Sequence, residues 1–238
     1  MGLLVLVARE VFPVISERMG NHGRSSASLF DFSPLACEYE AWYQTAEGRE
    51  HDRIQQSAVK ALLPLAHGGG LLLDVGCGTG HWSRFFTSMG YAVNGVDISP
   101  AMIAAARSQI TSGCAYIIGD ARRLPFADQA FQVTTAMAAL EFMPDVKAVL
   151  REMVRLTKQS GYLLIGILNR LAPLNRARIE QAQEPYFSGR LFSPDELWAL
   201  LRPYGEVTLC APYCKDQRTA PGACNSWEDP FVIAGVRL

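Results

Sequence analysis

Glycines at alternate positions follow an acidic residue near position 76, a spacing that suits ligand binding by the backbone. The segment from Leu71 to Gly80 reads LLLDVGCGTG, so an apolar run ends at Asp74 and glycines occupy positions 76, 78 and 80. Glycine has no Cβ, so the chain can turn sharply there and approach a ligand closely. Free amide groups at the start of the next helix can bind that ligand. The pattern predicts a ligand site where a buried strand meets a helix.

The glycine spacing separates two kinds of nucleotide site. A dinucleotide fingerprint, G-x-G-x-x-G/A, needs a small residue at its sixth position so that the helix packs closely on the strand. His81 occupies that position here. The pattern D-x-G-x-G-x-G, followed by Asp97 at the end of the next predicted strand, is different. A nicotinamide-dependent oxidoreductase remains an alternative, and His81 argues against it.

From residue 70 onward, strand-like and helix-like segments alternate. Strands are predicted over Leu71 to Val75, Tyr91 to Val96, Ala115 to Ile118, Phe131 to Ala136, Tyr162 to Ile167, Glu206 to Cys210 and Phe231 to Val236. Helices are predicted over His81 to Met89, after the cap Ser99, over Asp145 to Lys158, and after the capping box Ser193 to Glu196. Repeated strand-helix-strand units with short links imply a parallel sheet with helices on both faces.

Two regions depart from this alternation. Residues 1–65 are predicted to form an N-terminal cap of two helices, and residues 169–191 form an insert after the fifth strand. Both flank the carboxyl ends of the strands, so we expect them to close over a substrate. We expect residues 1–238 to form one domain, with residues 66–238 as its core. The first 18 residues are either an added helix or an overextended start before Met19.

Charge and composition argue against several classes of protein. A net charge of -1 at pH 7 gives no electrostatic footprint for nucleic acid. No apolar run approaches the ~20 residues that span a membrane. The six cysteines are scattered, which favours reduced thiols and a cytoplasmic location. Cys210, Cys214 and Cys224 lack the spacing of a zinc site, so no metal is expected.

Six stretches resemble the class I S-adenosylmethionine-dependent methyltransferases, specifically the methyltransferase type 11 family and its ubiquinone/menaquinone-biosynthesis-like group. They are Phe32 to Tyr43, Leu73 to Gly80, Gly95 to Met102, Gly119 to Phe126, Phe131 to Phe142 and Gly161 to Ile165. The Gly-Asp-Ala and Leu-Pro-Phe sequences of the fourth stretch are the most specific. Glu40, Gln132 and Phe142 stand where the family has aspartate, aspartate and histidine. An acid/base role at position 142 is therefore not carried over.

The resemblance implies a fold and a cofactor. The fold is an α/β, Rossmann-like, doubly wound sheet of seven strands in the order 3-2-1-4-5-7-6, with the last strand antiparallel. The cofactor is S-adenosyl-L-methionine, its product is S-adenosyl-L-homocysteine, and the methyl acceptor is a small molecule. The expected cofactor-binding residues are Tyr43, Asp74, Gly76, Cys77, Gly78, Gly80, Trp82, Asp97, Ile98, Met102, Asp120, Ala121 and Ala136.

The resemblance also assigns parts of the cofactor to particular residues. Asp97 would accept hydrogen bonds from both ribose hydroxyls through its two oxygens. Adenine would lie between Ile98 and Met102, and its amino group would donate to Asp120. The glycine segment would hold the amino acid end through backbone groups.

The sequence alone does not identify a catalytic residue. A base is needed only if the acceptor loses a proton from oxygen or carbon, and the candidates are Tyr39, Glu141 and Tyr186. The insert around Tyr186, Phe187 and Arg190 is expected to cover the acceptor together with the N-terminal helices. The predicted function is methyl transfer to a small molecule by a monomer or homodimer. A non-catalytic adenosylmethionine-binding protein is a second alternative.

Overall fold

The computed structural model describes residues 28–63, 70–109, 111–213, 216–218 and 228–238. The expectations for residues 1–18, Cys214 and Cys224 therefore lie outside the described residues. The α-helices in these ranges are α1 (Ala36–Tyr43), α2 (Ala46–Leu62), α3 (His81–Ser88), α4 (Pro100–Ser108), α5 (Val146–Leu156), α6 (Pro173–Glu180) and α7 (Pro194–Leu201). The two helices expected near the N-terminus correspond to α1 and α2, and the insert contains α6. No helix in the described ranges is long and apolar enough to cross a membrane.

A single sheet of eight strands lies at the centre of the fold. The strands are β1 (Leu71–Val75), β2 (Ala92–Asp97), β3 (Cys114–Ile118), β4 (Phe131–Met137), β5 (Thr157–Leu168), β6 (Glu206–Ala211), β7 (Asp216–Arg218) and β8 (Phe231–Arg237). Their order is β3-β2-β1-β4-β5-β8-β6-β7. Strands β1 to β5 pair in parallel, whereas β8 runs antiparallel to β5 and β6. The predicted order is confirmed, since β8 is the seventh predicted strand; the short β7 was not predicted.

Polar caps start the helices where the sequence places them. The hydroxyl of Ser99 accepts a hydrogen bond from the Met102 amide at the start of α4. At α7, the Ser193 hydroxyl accepts from the Glu196 amide, and the Glu196 carboxylate accepts from the Ser193 amide. Each cap satisfies an amide that has no partner within its helix.

The end of α5 differs from the prediction. The helix stops at Leu156, and β5 begins at Thr157 rather than at Tyr162. The Thr157 hydroxyl donates to the Met153 carbonyl at 2.7 Å and lies 2.8 Å from the Thr134 hydroxyl on β4. These contacts hold Thr157 beside the sheet, and the register between β4 and β5 shifts directly afterwards. The prediction of helix to Lys158 was wrong because this tertiary pairing competes with the local helical pattern.

Apolar residues on both faces of the sheet form the core. Adjacent residues of β1 point to opposite faces, so Leu73 packs in the cluster that contains residues of α5 and α7. Leu72 packs in the other cluster, with residues of α2 and α3. Each leucine gains ~1.5–3 kcal/mol from full burial. Burial on both faces explains why the strand is apolar without alternation.

The capping box of α7 gives a test of local stability. We expect Ser193→Ala to lower the free energy of unfolding by ~1 kcal/mol, because it leaves the Glu196 amide without its hydroxyl partner. Urea titration followed by circular dichroism measures the change. Ser160→Ala is the control, since Ser160 is exposed and should change stability by less than about 0.5 kcal/mol. Equal losses in the two variants would contradict the assigned cap.

Candidate functional site

A cavity of about 340 Å³ lies at the carboxyl ends of the parallel strands. Most of the residues expected at the cofactor site line it, namely Tyr43, Asp74, Gly76, Cys77, Gly78, Trp82, Asp97, Ile98, Met102, Asp120 and Ala121. Gly80 and Ala136 do not line it. Gly80 is the N-cap of α3, and Ala136 is fully buried within β4. Met137 and Ala138, which follow Ala136 in the chain, contribute to the lining instead.

The glycine loop needs its glycines for two different reasons. Gly76 has φ +71°, and a Cβ there would lie 2.6 Å from the Ala139 Cβ. Gly78 has φ +53°, and a Cβ there would meet no atom within 4 Å. Gly76 therefore lets the loop pack against the end of β4, while Gly78 leaves open space beside the loop that a ligand can fill.

Asp97 joins two of the loops that surround the cavity. One carboxylate oxygen accepts from the Gly78 amide at 2.9 Å, and the other accepts from the Ser99 amide at 2.8 Å. Burial raises the pKa of Asp97 above its ordinary value, although these hydrogen bonds act in the opposite direction. A carboxylate oxygen has more than one acceptor position, so each oxygen can accept a further hydrogen bond from a ligand.

Asp74 is the most deeply buried acid of the cavity wall. It is 1% exposed, and its carboxylate accepts from the Ser83 hydroxyl at 2.6 Å. Burial raises the pKa of Asp74 to about 7, and the nearby charge of Asp97 acts in the same direction. Neither acid forms an ion pair with another described residue.

Asp120 has a different environment. The Arg122 guanidinium donates to both carboxylate oxygens from its Nε, at 3.0 and 3.1 Å, and from one Nη at 2.6 Å. This hydrogen-bonded guanidinium lowers the pKa of Asp120 below its ordinary value. Arg122, which sequence reasoning did not single out, also lines the cavity. Its position two residues after Asp120 was the sequence feature that could have indicated this contact.

Polar contacts fasten α1 and α2 to the glycine loop and α3. The Glu40 carboxylate accepts two hydrogen bonds from Arg84, each at 2.8 Å, and one from the Thr79 hydroxyl. The His81 ring lies 2.7 Å from the Asp52 carboxylate and stacks on Tyr43, with 3.6 Å between ring centroids. These contacts hold the N-terminal helices over one side of the cavity.

An aromatic cluster covers the other side, and sequence analysis did not assign Phe30 or Phe32 to the site. Phe32 contacts Phe30 and Phe142 edge to face, with centroid separations of 4.7 and 4.8 Å. The Leu29 amide donates to the Phe142 carbonyl at 2.7 Å. All three rings line the cavity, so Phe142 serves as a packing surface for the segment that precedes α1.

The three candidate bases occupy distinct places. Tyr39 lines the cavity, whereas Glu141 and Tyr186 do not. Burial raises the pKa of Tyr39 to about 12, so this hydroxyl stays protonated near neutral pH. Glu141 is fully buried and accepts a hydrogen bond from the Leu168 amide, while its Oε2 has no partner; burial raises its pKa to about 7. The Tyr186 hydroxyl lies 2.6 Å from an Arg178 nitrogen.

Comparison with known proteins identifies the family. A profile described as "Methyltransferase domain" matches residues 73–165. Demethylmenaquinone methyltransferase from Thermobifida fusca is 33% identical over 170 residues, which cover 68% of this chain and 70% of that protein. Malonyl-[acyl-carrier protein] O-methyltransferase from Hamiltonella defensa is 32% identical over 142 residues, which cover 58% of this chain and 54% of that protein. This chain thus spans about half the length of that relative.

Solved structures agree with the sequence comparison. The crystal structure of an S-adenosylmethionine-dependent methyltransferase from Thermotoga maritima, described as a possible histamine N-methyltransferase, superimposes with a TM-score of 0.67 at 27% identity. The superposition covers 87% of this chain and 97% of that protein. The family profile spans the glycine loop and the acids at positions 74, 97 and 120, and the Thermobifida match extends beyond two thirds of both chains. The chain therefore belongs to the S-adenosylmethionine-dependent methyltransferases.

Proposed function

We propose that this chain binds S-adenosyl-L-methionine in the cavity and transfers its methyl group to a small-molecule acceptor. The observation that carries the proposal is a pair of carboxyl groups, the buried Asp74 and the half-buried Asp97, which line the cavity without an ion pair to any described residue. Buried acids of this kind favour a ligand that brings positive charge. S-adenosylmethionine carries a sulfonium and an ammonium group, so its charge complements this wall.

The chain's residues fit the separate parts of that cofactor. Asp97 would accept from the ribose hydroxyls, and Asp74 would lie toward the ammonium group. The open side of Gly78 leaves room for the amino acid end, with the Gly76 and Cys77 backbone beside it. Tyr43 and Trp82 also line the cavity.

The adenine would lie among residues that follow β2 and β3. Ile98 is 38% exposed and Met102 is 3% exposed, and both line the cavity as apolar surfaces. Asp120 retains acceptor positions beside its contacts with Arg122, because a carboxylate offers about four lone-pair sites. It could therefore accept from the adenine amino group while the Ala121 amide donates to the ring.

Catalysis would depend mainly on positioning. The bound cofactor supplies a methyl group activated by its sulfonium charge. The covering helices and the aromatic cluster exclude water and hold the acceptor in line with that methyl group, and such alignment contributes up to ~7–11 kcal/mol. Tyr39, protonated near neutral pH, would donate a hydrogen bond to the acceptor. The cap, the core and the insert would act as one domain, and scattered reduced cysteines support a cytoplasmic location.

The alternative of a nicotinamide-dependent oxidoreductase fits the cavity less well. A dinucleotide brings a pyrophosphate, which is anionic, to the glycine loop. Here the buried Asp74 also lines the cavity with the loop, and its ionised carboxyl would repel that group. His81 also fills the position where a dinucleotide site needs a small residue.

Mass spectrometry of the purified protein tests the proposal first, by detecting S-adenosylmethionine or S-adenosylhomocysteine that was carried through purification. Calorimetry then measures the binding of both compounds and of NADH. A label-transfer assay with methyl-labelled cofactor and a panel of small acceptors then separates an enzyme from a non-catalytic binding protein. Binding of NADH without binding of S-adenosylhomocysteine would overturn the assignment.

Asp97→Asn tests the ribose contact. We expect the dissociation constant for S-adenosylhomocysteine to rise about 10- to 150-fold, because a charge-assisted hydrogen bond contributes ~1.5–3 kcal/mol. Isothermal titration calorimetry measures the change. Asp195→Asn is the matched control, since Asp195 is an exposed acid on α7 that does not line the cavity. Equal affinity of the Asp97 variant and the wild type would rule out the contact.

The raised pKa of Asp74 leads to a prediction of how the affinity for S-adenosylhomocysteine depends on pH. Its pKa is about 7 in the free protein, and an adjacent ammonium group would lower that pKa in the complex. Binding therefore favours the ionised carboxyl, so affinity should rise about tenfold per pH unit as pH increases from 5.5 towards 7. Calorimetry across this range should show the rise in wild type, and Asp74→Asn should remove the part centred near pH 7. A variant with the same pH profile as wild type would show that another group is responsible.

A further inference from the structure

Glu141 is a fully buried acid in the short turn Leu140–Phe142 that follows β4. Its carboxyl group accepts a hydrogen bond from the amide of Leu168, the last residue of β5. Its main-chain carbonyl accepts another from the Arg190 amide at 2.8 Å. Leu168 directly precedes the insert, and Arg190 lies near the end of the insert. A single residue of the turn is therefore bonded to both ends of the insert.

The two ends of the insert also contact each other. Asn169 pairs with Phe192 in a parallel bridge, and the Arg170 amide donates to the Phe192 carbonyl at 2.9 Å. Helix α6 lies between these ends in the sequence. Since the chain enters and leaves the insert at one place, a change at that junction acts on the insert as a whole.

The turn that contains Glu141 borders the cavity. Ala139 and Phe142 line the cavity, whereas Glu141 does not. A Cβ placed on Gly189 would lie 2.8 Å from the Phe142 ring, so the backbone of the insert packs closely on that ring. The Phe142 carbonyl accepts from the Leu29 amide, in the segment that precedes α1. The turn thus joins the cavity wall to the insert and to the N-terminal segment.

The carboxyl group of Glu141 has no cation beside it. Its Oε2 has no hydrogen-bond partner among the described residues, and none of their ion pairs includes Glu141. Burial raises the pKa of Glu141 to about 7, although the hydrogen bond from the Leu168 amide acts in the opposite direction. A neutral carboxyl group costs far less to bury in such a place than a carboxylate. The charge of Glu141 therefore changes near neutral pH.

Within the described ranges, the other titratable groups near Glu141 keep a constant charge near neutral pH. Tyr39 of α1 and Tyr186 of the insert interact electrostatically with it, and burial raises the pKa of both hydroxyls. On the insert, the Arg178 guanidinium donates to the Tyr186 hydroxyl at 2.6 Å, and the Arg190 guanidinium lies 5.7 Å from the centroid of a phenylalanine ring. A change of charge at this junction would therefore come from Glu141.

We propose that Glu141 is a positioning residue, which holds the insert against the cavity wall while its carboxyl group is neutral and loosens the insert when that group ionises. A carboxylate buried here lacks a counter-charge, and local opening of the insert gives it water as a partner. Glu141 does not line the cavity, so it acts through the insert and Phe142 rather than on the acceptor itself. The effect on methyl transfer rests on the proposed function, whereas the hold on the insert does not.

The direction of the pH dependence follows from the two states of the insert. With the insert closed, the pKa of Glu141 is about 7. With the insert open, water would surround the carboxyl group and return its pKa to the ordinary value of ~4.3. The closed state binds the proton more tightly, so its stability falls as pH rises between these two values and levels off above the higher one.

Amide hydrogen exchange of the full chain between about pH 5.5 and 7.5 measures the opening, with rates corrected for the intrinsic effect of pH. We expect protection of the Leu168 and Arg190 amides to fall at least about tenfold across this range. Glu141→Gln keeps an oxygen acceptor for the Leu168 amide but cannot ionise, so it should retain the protection and lose the pH dependence. Glu180→Gln, at the exposed end of α6, is the matched control and should behave as the wild type.

Amides within β5 distinguish local opening from unfolding of the whole chain. Leu164 and Ile165 pair with β4 on one side and β8 on the other, so their protection should stay constant over the same range. An equal loss of protection at these amides and at Leu168 would overturn the proposal, because the opening would then be global. A Leu168 amide whose protection does not change with pH in the wild type would also overturn it, as would an unchanged profile in Glu141→Gln. The wild-type profile decides the question if the glutamine variant does not fold.

Discussion

Parallel pairing of β1 with β2 on one side and β4 on the other sets the position of the groups around the cavity. After β1 the chain passes through the glycine loop into α3, which packs on one face of the sheet. After β4 it passes through the turn Leu140–Phe142 into α5, which packs on the opposite face. The two connections diverge, and a crevice remains at the strand ends between them. The hydrogen bond from the Gly78 amide to Asp97 closes the neighbouring side, because it ties the β1 loop to the end of β2.

The distribution of charge around this crevice follows from which acids have partners. On the N-terminal helices, Glu40 forms an ion pair with Arg84, and Asp52 lies 2.7 Å from the His81 ring, so both acids fasten the cover through close contacts. Asp74 and Asp97 lie deeper and accept hydrogen bonds only from neutral groups. In a region of low dielectric, an acid without a cation keeps its proton more readily, which is why burial raises both pKa values. The inner wall is therefore receptive to a cation.

Much of the fold could be predicted because its signals are local. Ser99 and Ser193 cap helices through their own next turn, and an apolar run such as the one that ends at Asp74 marks a strand buried on both faces. The end of α5 could not be predicted, since Thr157 pairs with Thr134 from a distant strand. The edge strand β7 is three residues long and offers no pattern to recognise. The order of the strands came from family resemblance, because periodicity along a chain contains no information on which strands are neighbours.

The features of the site likewise divide into those that local sequence predicts and those that only tertiary contacts set. The types of its key residues and their places at strand ends were determined by the sequence itself: acids at 74, 97 and 120, and glycines between them, follow from spacing within single strands and turns. The tertiary structure alone decided that Phe30 and Phe32 line the cavity, that Gly80 and Ala136 do not, and that Arg122 holds Asp120. It also decided which buried polar atoms of the described residues are left without a hydrogen-bond partner, Oε2 of Glu141 and Nε of Arg178 among them. The residues that bury a side chain or pair with it come from elements that are far apart in the chain. Its burial and its partners are therefore set only when those elements pack together.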